Sequence, residues 1–368
     1  MRNSRDPSID TLRGLACLLL VALHVIGEAP SQGLRVLDDH PLALFAQLFF
    51  HLRMPLFAML SGFVYAARPV QPGQVGTFTR GKACRLVAPF VFAATTFALI
   101  MTVTSGSWAI EPARFWTIYL QPYAQFWFLQ ALILIFCAVA FVDLALPRRP
   151  QTAAFVFLAV SASAFLSPLG RGVEWMSLDR AIYLAPFFGF GLIMARLESP
   201  SVRRVALVGV ALALVLFAFH ALTVFAGPDR DIARRTGLAL GLGLTLSGTL
   251  LAFRFTIRPF ARIGTYSFSI YLYHLFAVMS LQLAYQLLTR PDPYIGLALG
   301  LAAGIAIPIL LHEIVLRLGG GASFMLLGLR SASWREKQGA AAAIEPPSSK
   351  SQGFSVEKPP TTKPMISW

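Results

Sequence analysis

Acidic residues are scarce in this chain: 17 Asp and Glu in 368 residues, against 31 Lys and Arg. All charged residues together reach only 13%, where a soluble domain carries about 25%. That shortage excludes a water-facing surface over most of the length. Cysteine is rarer still. Cys17, Cys84 and Cys137 lie in or beside hydrophobic runs, with no metal-ligand spacing and no disulfide framework. They read as packing residues, and no metal is expected. The chain also lacks a Gly-rich phosphate loop, a Gly-x-Ser-x-Gly elbow and a His-Glu-x-x-His motif, which excludes those nucleotide-binding, hydrolase and zinc-protease designs. No internal repeat is visible, which counts against an inverted-repeat transporter.

What is abundant is hydrophobic sequence, 56% of all residues. It recurs in runs of membrane-span length. Ten spans are expected, over 12–26, 42–66, 86–103, 126–146, 153–166, 182–194, 205–225, 238–253, 266–288 and 295–316. The fold expected is therefore all-α and polytopic, with residues 1–329 as the transmembrane domain. Arg2 and Arg5 before the first apolar run resemble a signal peptide, but no small-residue cleavage site follows, so the run reads as a retained span. Residues 330–368, rich in Ala, Pro, Ser and Lys, show no apolar periodicity and are expected to form a disordered basic tail.

The net charge of +14 would point a soluble protein toward nucleic acid. Here most cations sit between apolar runs, so no nucleic-acid partner is expected and the charges serve topology instead. Alternate loops carry the cations unequally. The groups around Arg5, Arg80, Arg149, Arg203, Arg258 and Arg335 fall on one side. Only Arg35, Arg114, Arg171, Arg180, Arg230, Arg234, Arg235 and Arg290 fall on the other. The positive-inside rule places both termini in the cytoplasm.

Ionisable residues inside the spans are the candidates for chemistry, because lipid-facing charge costs several kcal/mol. Arg13 and His24 are eleven residues apart on the first span, which puts them on nearly one helix face about 16 Å apart. Histidine suits general-base work near neutral pH; the plainer reading is a buried, hydrogen-bonded ring. His51 and Arg53 sit within the second apolar run, where Pro55 is expected to disturb the helix. Ser61-Gly62 reads equally as a packing contact. Lys82 and Arg85 share a helical face at the cytoplasmic edge and suit phosphate, or simply anchor the span. His274 is again intramembrane. Glu313 and Arg317 form an i,i+4 pair that would steady a helix end. Three readings stay open: an enzyme with His24 as its base, a secondary transporter with an intramembrane His/Arg proton relay, and a non-catalytic partner of a polysaccharide assembly complex.

An ordered set of motifs narrows them. Asp10-x-x-Arg13-Gly14, Arg13-x10-His24, Pro55-Leu56-Phe57 through Ser61-Gly62-Phe63, Lys82-x-x-Arg85 with Pro89, Trp127-Phe128-Leu129, Gly264-Thr265-Tyr266-Ser267, Tyr271-Leu272-Tyr273-His274 and His312-Glu313 together resemble the membrane acyltransferase-3 proteins. The resemblance spans nearly all of residues 8–317. It implies a ten-helix fold that moves an acyl group, most often acetyl, from cytoplasmic acyl-coenzyme A to a hydroxyl of a surface or exported glycan. It also implies a place in a bacterial inner membrane. No permanently bound cofactor is implied; acyl-coenzyme A is a substrate. The family's Arg-x10-His pair maps onto Arg13 and His24, with His24 as general base and Arg13 also toward the donor. Its basic pair, usually two arginines, maps onto Lys82 and Arg85, and the lysine forfeits bidentate phosphate recognition there. Asp10, His51, Arg53, Ser61, Trp127, Tyr271, His274 and Glu313 are the expected cavity-lining set.

Overall fold

The computed structural model describes residues 6–104, 108–197, 199–226, 233–287 and 292–328. Among them there are helices and no strands. In chain order the α-helices are α1 (Pro7–Ile26), α2 (Pro41–Leu48), α3 (Phe50–Ala66), α4 (Val75–Lys82), α5 (Ala88–Val103), α6 (Thr117–Leu120), α7 (Trp127–Ala145) and α8 (Pro150–Leu166). They continue as α9 (Leu178–Arg196), α10 (Ser199–Ala226), α11 (Gly237–Phe253), α12 (Arg258–Thr265), α13 (Ser267–Leu287), α14 (Pro293–Leu318) and α15 (Gly320–Leu327). Among the described residues, eight helical segments are long and apolar enough to cross a membrane. A ninth is counted if α11 and α12, bent by 110°, are taken together, and α8 is a shorter apolar helix of 17 residues. The expected tail, 330–368, lies outside the described residues.

The outer faces explain why these helices need lipid. On α10, Val208, Leu212, Leu214, Val215, Phe219, Leu222 and Phe225 are all exposed. The buried side of the bundle instead holds His51, Arg53, Gln125, Gln130, Asp143 and His274. Apolar residues outside and polar residues inside suit a bilayer as solvent.

Helix boundaries follow local chemistry. Asp6 caps α1 by accepting from the Ser8 amide at 2.9 Å, Pro7 starts the helix without needing a donor, and Gly27 ends it at φ 99°. This start lies five residues before the expected one. The end coincides with the expected one at Ile26, so His24 is in the last turn of α1, about 25 Å from Pro7. The helix is unbroken between Arg13 and His24. The second expected span is also different in detail. It breaks at Phe49, and the helix runs straight through Pro55. Proline there removes only the bond to the His51 carbonyl, one turn from the start of α3.

Three contacts set the frame. A Cβ on Gly62 would strike the Phe188 carbonyl, and one on Gly191 would strike the Met59 carbonyl, so α3 and α9 lie backbone to backbone. Gly14 and Gly264 bring α12 equally close to α1, at the carbonyls of Phe260 and Asp10. Finally, buried Asp143 on α7 takes both Arg196 Nη atoms, at 2.9 and 2.8 Å, and the Tyr65 hydroxyl at 2.8 Å, which joins α3, α7 and α9. Asp143→Ala leaves the Arg196 guanidinium buried without its carboxylate. The expected cost is about 3 kcal/mol, read as a lower thermal unfolding midpoint of the purified protein.

Candidate active site

His24 opens onto a cavity of about 890 Å³. The walls come from one end of the bundle: the C-terminal ends of α1, α5 and α13, the N-terminal ends of α3, α7 and α9, and the segment before α11. Trp108, Pro122 and Ala124, from the long α5–α7 connection, also line it. That connection is held by two glutamines. Gln130 Nε2 donates to the carbonyls of Ile118, Tyr119 and Gln121 at 3.3, 3.1 and 3.0 Å. Gln125 Nε2 donates to the Leu272 carbonyl at 3.2 Å, and the Tyr271 hydroxyl donates to the Gln125 carbonyl. Tyr271 therefore ties the roof to α13 and does not line the cavity.

The His24 ring packs against His274, with centroids 5.0 Å apart and planes tilted by 33°. His274 is fully buried. Its Nδ1 lies 2.8 Å from the Ile270 carbonyl and 2.9 Å from that of Tyr271. A carbonyl accepts only, so Nδ1 carries the proton, and Nε2, which has no hydrogen-bond partner, keeps its lone pair. His274 thus supports the His24 ring from behind without itself lining the cavity. Gln282 Nε2 donates to the His24 carbonyl at 3.0 Å, fixing the last turn of α1 against α13.

Arg53 and Trp127 line the same cavity. The other expected residues lie elsewhere. His51 is buried, edge-on to His220 at 5.4 Å between centroids. Ser61 donates to the Phe57 carbonyl one turn back at 2.8 Å, within its own helix. Asp10 holds Arg13 Nη1 at 3.1 Å. Glu313 accepts from the Tyr266 hydroxyl at 2.6 Å, while Ser269 and His312 Nδ1 are 2.6 Å apart. The Gly264–Ser267 and His312-Glu313 motifs therefore meet as one lock between α13 and α14.

Arg13, Lys82 and Arg85 do not line the cavity. Lys82 closes α4, and Arg85 lies in a π-helical turn, Ala83–Val87; such turns are frequent at functional sites. The Lys82 ammonium sits 3.4 Å from the Phe136 ring centroid, with Tyr65 and Phe78 within 5.8 and 5.5 Å. Its charge is directed at an aromatic cage.

Several wall residues escaped the sequence reading. Glu28, Arg180 and Arg234 line the cavity, yet each lies at a helix end or in a loop where periodicity carries no signal. In the sequence Arg180 and Arg234 read as topology charges, and their place on the cation-poor side is the one signal that sets them apart.

The acyltransferase-domain model of the acyltransferase-3 family matches residues 6–313. The chain belongs to the acyltransferase-3 family. No curated protein and no solved structure matches it. As a membrane acyltransferase, it has at one end of its bundle a large cavity with a histidine in the wall, and at the other the Asp10–Arg13 ion pair.

Proposed function

We propose that this acyltransferase moves an acyl group, most simply acetyl, from acyl-coenzyme A to a hydroxyl of a surface or exported glycan. The observation that carries the reading is the His24 ring at the wall of the large cavity, backed by His274 and beside Arg53. In this reading the ten expected spans cross a bacterial inner membrane with both termini in the cytoplasm. The cavity then faces outward, toward an exported acceptor. Arg13, Lys82 and Arg85 lie toward the donor.

The acceptor hydroxyl enters the cavity and gives its proton to an imidazole nitrogen of His24 as its oxygen attacks the thioester carbonyl. Arg53 offers charge to the oxyanion that forms. The carbon–sulfur bond then breaks. Coenzyme A leaves as the thiol, taking back the proton from the imidazolium. An acyl-histidine intermediate gives the same products in two steps. Donor and base are separated by an extended arm's length, about 16 Å along α1. Cys17, Leu20 and Val21 fill the interior between them, so donor entry requires that packing to open.

Coenzyme A release by purified protein, given acetyl-coenzyme A and a cell-envelope glycan extract, tests the reading. Acceptor-dependent release is expected. Gradient-driven uptake of a solute without any release would replace the enzyme by a transporter. On the donor side, Arg85→Ala is expected to weaken coenzyme A binding about tenfold, the scale of one charge-assisted contact. Lys82→Ala is expected to weaken it less, because the caged ammonium offers less to a phosphate. Calorimetry with coenzyme A alone reads both; unchanged affinity in both variants returns them to topology.

A further inference from the structure

The cavity wall is unusually rich in arginine. Arg35, Arg53, Arg180, Arg234 and Arg235 line it, with only Glu28 and Asp179 as carboxylates among the described residues. One of the five is fully used by the fold. Arg235 Nη1 meets Asp179 at 2.6 Å, and its other N–H groups reach the carbonyls of Ala164, Phe165, Ser167 and Leu169.

Arg53, Arg180 and Arg234 are different. Arg53 Nη2 lies 3.3 Å from Glu28 Oε1, and Arg234 Nη2 lies 3.9 Å from Oε2 of the same carboxylate. Arg180 has no carboxylate within ion-pair distance among the described residues; it stacks on Trp127 at 5.1 Å. Phe50 carries both Arg53 and Arg234, at 5.0 and 5.3 Å. Arg53 is only 6% exposed, and its Nε has no hydrogen-bond partner. Three guanidinium groups on two aromatic platforms thus face one side of the cavity with a single carboxylate between two of them. These aromatics hold the arginines at little entropic cost, and the fork geometry matches carboxylate or phosphate. On the outward side, the positive-inside rule leaves such cations without a topological role.

We propose that the acceptor is an anionic glycan: its carboxylate or phosphate is held by Arg53, Arg180 and Arg234 while its hydroxyl meets His24. The proposal rests on the transferase reading above and adds the charge class of the acceptor. Glu28 marks the place, since its carboxylate already bridges two of the three arginines. Arginine charge in a walled cavity also raises the local concentration of an anionic acceptor.

The test uses the full chain in lipid nanodiscs and calorimetry with three probes: trigalacturonate, trigalactose 1-phosphate and neutral trigalactose. At least one anionic probe is expected to bind about tenfold or more tightly than trigalactose, with an advantage that shrinks as salt is added. Which probe gains distinguishes carboxylate from phosphate. The Arg180→Gln, Arg234→Gln double variant should lose the preference at an unchanged unfolding midpoint, and the Arg180→Lys, Arg234→Lys pair should keep part of it. The proposal is overturned if trigalactose binds as tightly as both anionic probes, or if the double Gln variant keeps the preference. It is also overturned if adenosine 3′,5′-bisphosphate competes with the anionic probe, which would assign the arginines to the donor. No charge preference in the unaltered protein, with acceptor-dependent coenzyme A release intact, removes this proposal alone. Charge-selective binding without any release on envelope glycan removes the transferase reading and leaves the anion site standing.

Discussion

His24→Ala is expected to lower acyl transfer by about 100- to 10,000-fold, the range for removal of a general base, the role proposed for this ring. The protein should stay folded. The ring is half-buried in the last turn of α1, and its loss enlarges an existing cavity instead of opening a void in the packed core. His24→Gln is the stricter version. It keeps bulk and polarity but has no basic nitrogen, so it should be as inactive as the alanine variant. Acceptor-dependent coenzyme A release and the unfolding midpoint, measured on the same preparation, separate chemistry from folding. A folded variant that keeps its rate within a few fold would end the general-base role.

His274 should behave differently. It packs against His24 but does not line the cavity, so in the proposed reading it is a positioning residue that acts through the other ring. Its Nδ1 bonds to the Ile270 and Tyr271 carbonyls fix its orientation, and that orientation sets the surface on which His24 rests.

The helical, lipid-facing character was legible because it is a property of local composition: among the described residues the long apolar runs expected in the sequence are helical, with 42–66 divided between α2 and α3. His24, Arg53 and Trp127 were legible because an ionisable or amphipathic group in an apolar run stands out. Ser61 stood out for the same reason, but a serine inside a helix satisfies itself on the carbonyl one turn back, as Ser61 does on Phe57. Glu313 likewise finds the Tyr266 hydroxyl, in the turn between α12 and α13, in place of the i,i+4 contact to Arg317 that spacing suggested. Spacing reports neighbours on one helix and is blind to neighbours on the next. The arginine wall escaped for that reason. Arg53, Arg180 and Arg234 are far apart in sequence, and only the meeting of three helix ends brings them onto Phe50 and Trp127.

Helix α12 shows the same limit at larger scale. Arg258 and Arg262 made this stretch read as a charged loop, yet it folds as a short helix laid against α1. Gly264 permits the contact. An added Cβ there would overlap the Asp10 carbonyl, and the obstacle is backbone, which cannot turn aside as a side chain does. Gly264→Ala is therefore expected to destabilise the protein by about 3 kcal/mol, the upper part of the overpacking range. Gly81→Ala supplies the control, because Gly81 lies within helix α4 and has nothing within 4 Å of its would-be Cβ. There the same substitution should stabilise by about 0.5–1 kcal/mol, through helix propensity alone. The two variants differ only in what the methyl meets, so their unfolding midpoints should move in opposite directions. Activity should follow for Gly264→Ala as well. Asp10 holds Arg13 at 3.1 Å, and any shift of α12 away from the Asp10 carbonyl moves the residue that positions that guanidinium. A Gly264→Ala protein with a wild-type midpoint would mean that α1 and α12 do not cross this closely, and that Asp10 and Arg13 are placed by something other than the glycine contact.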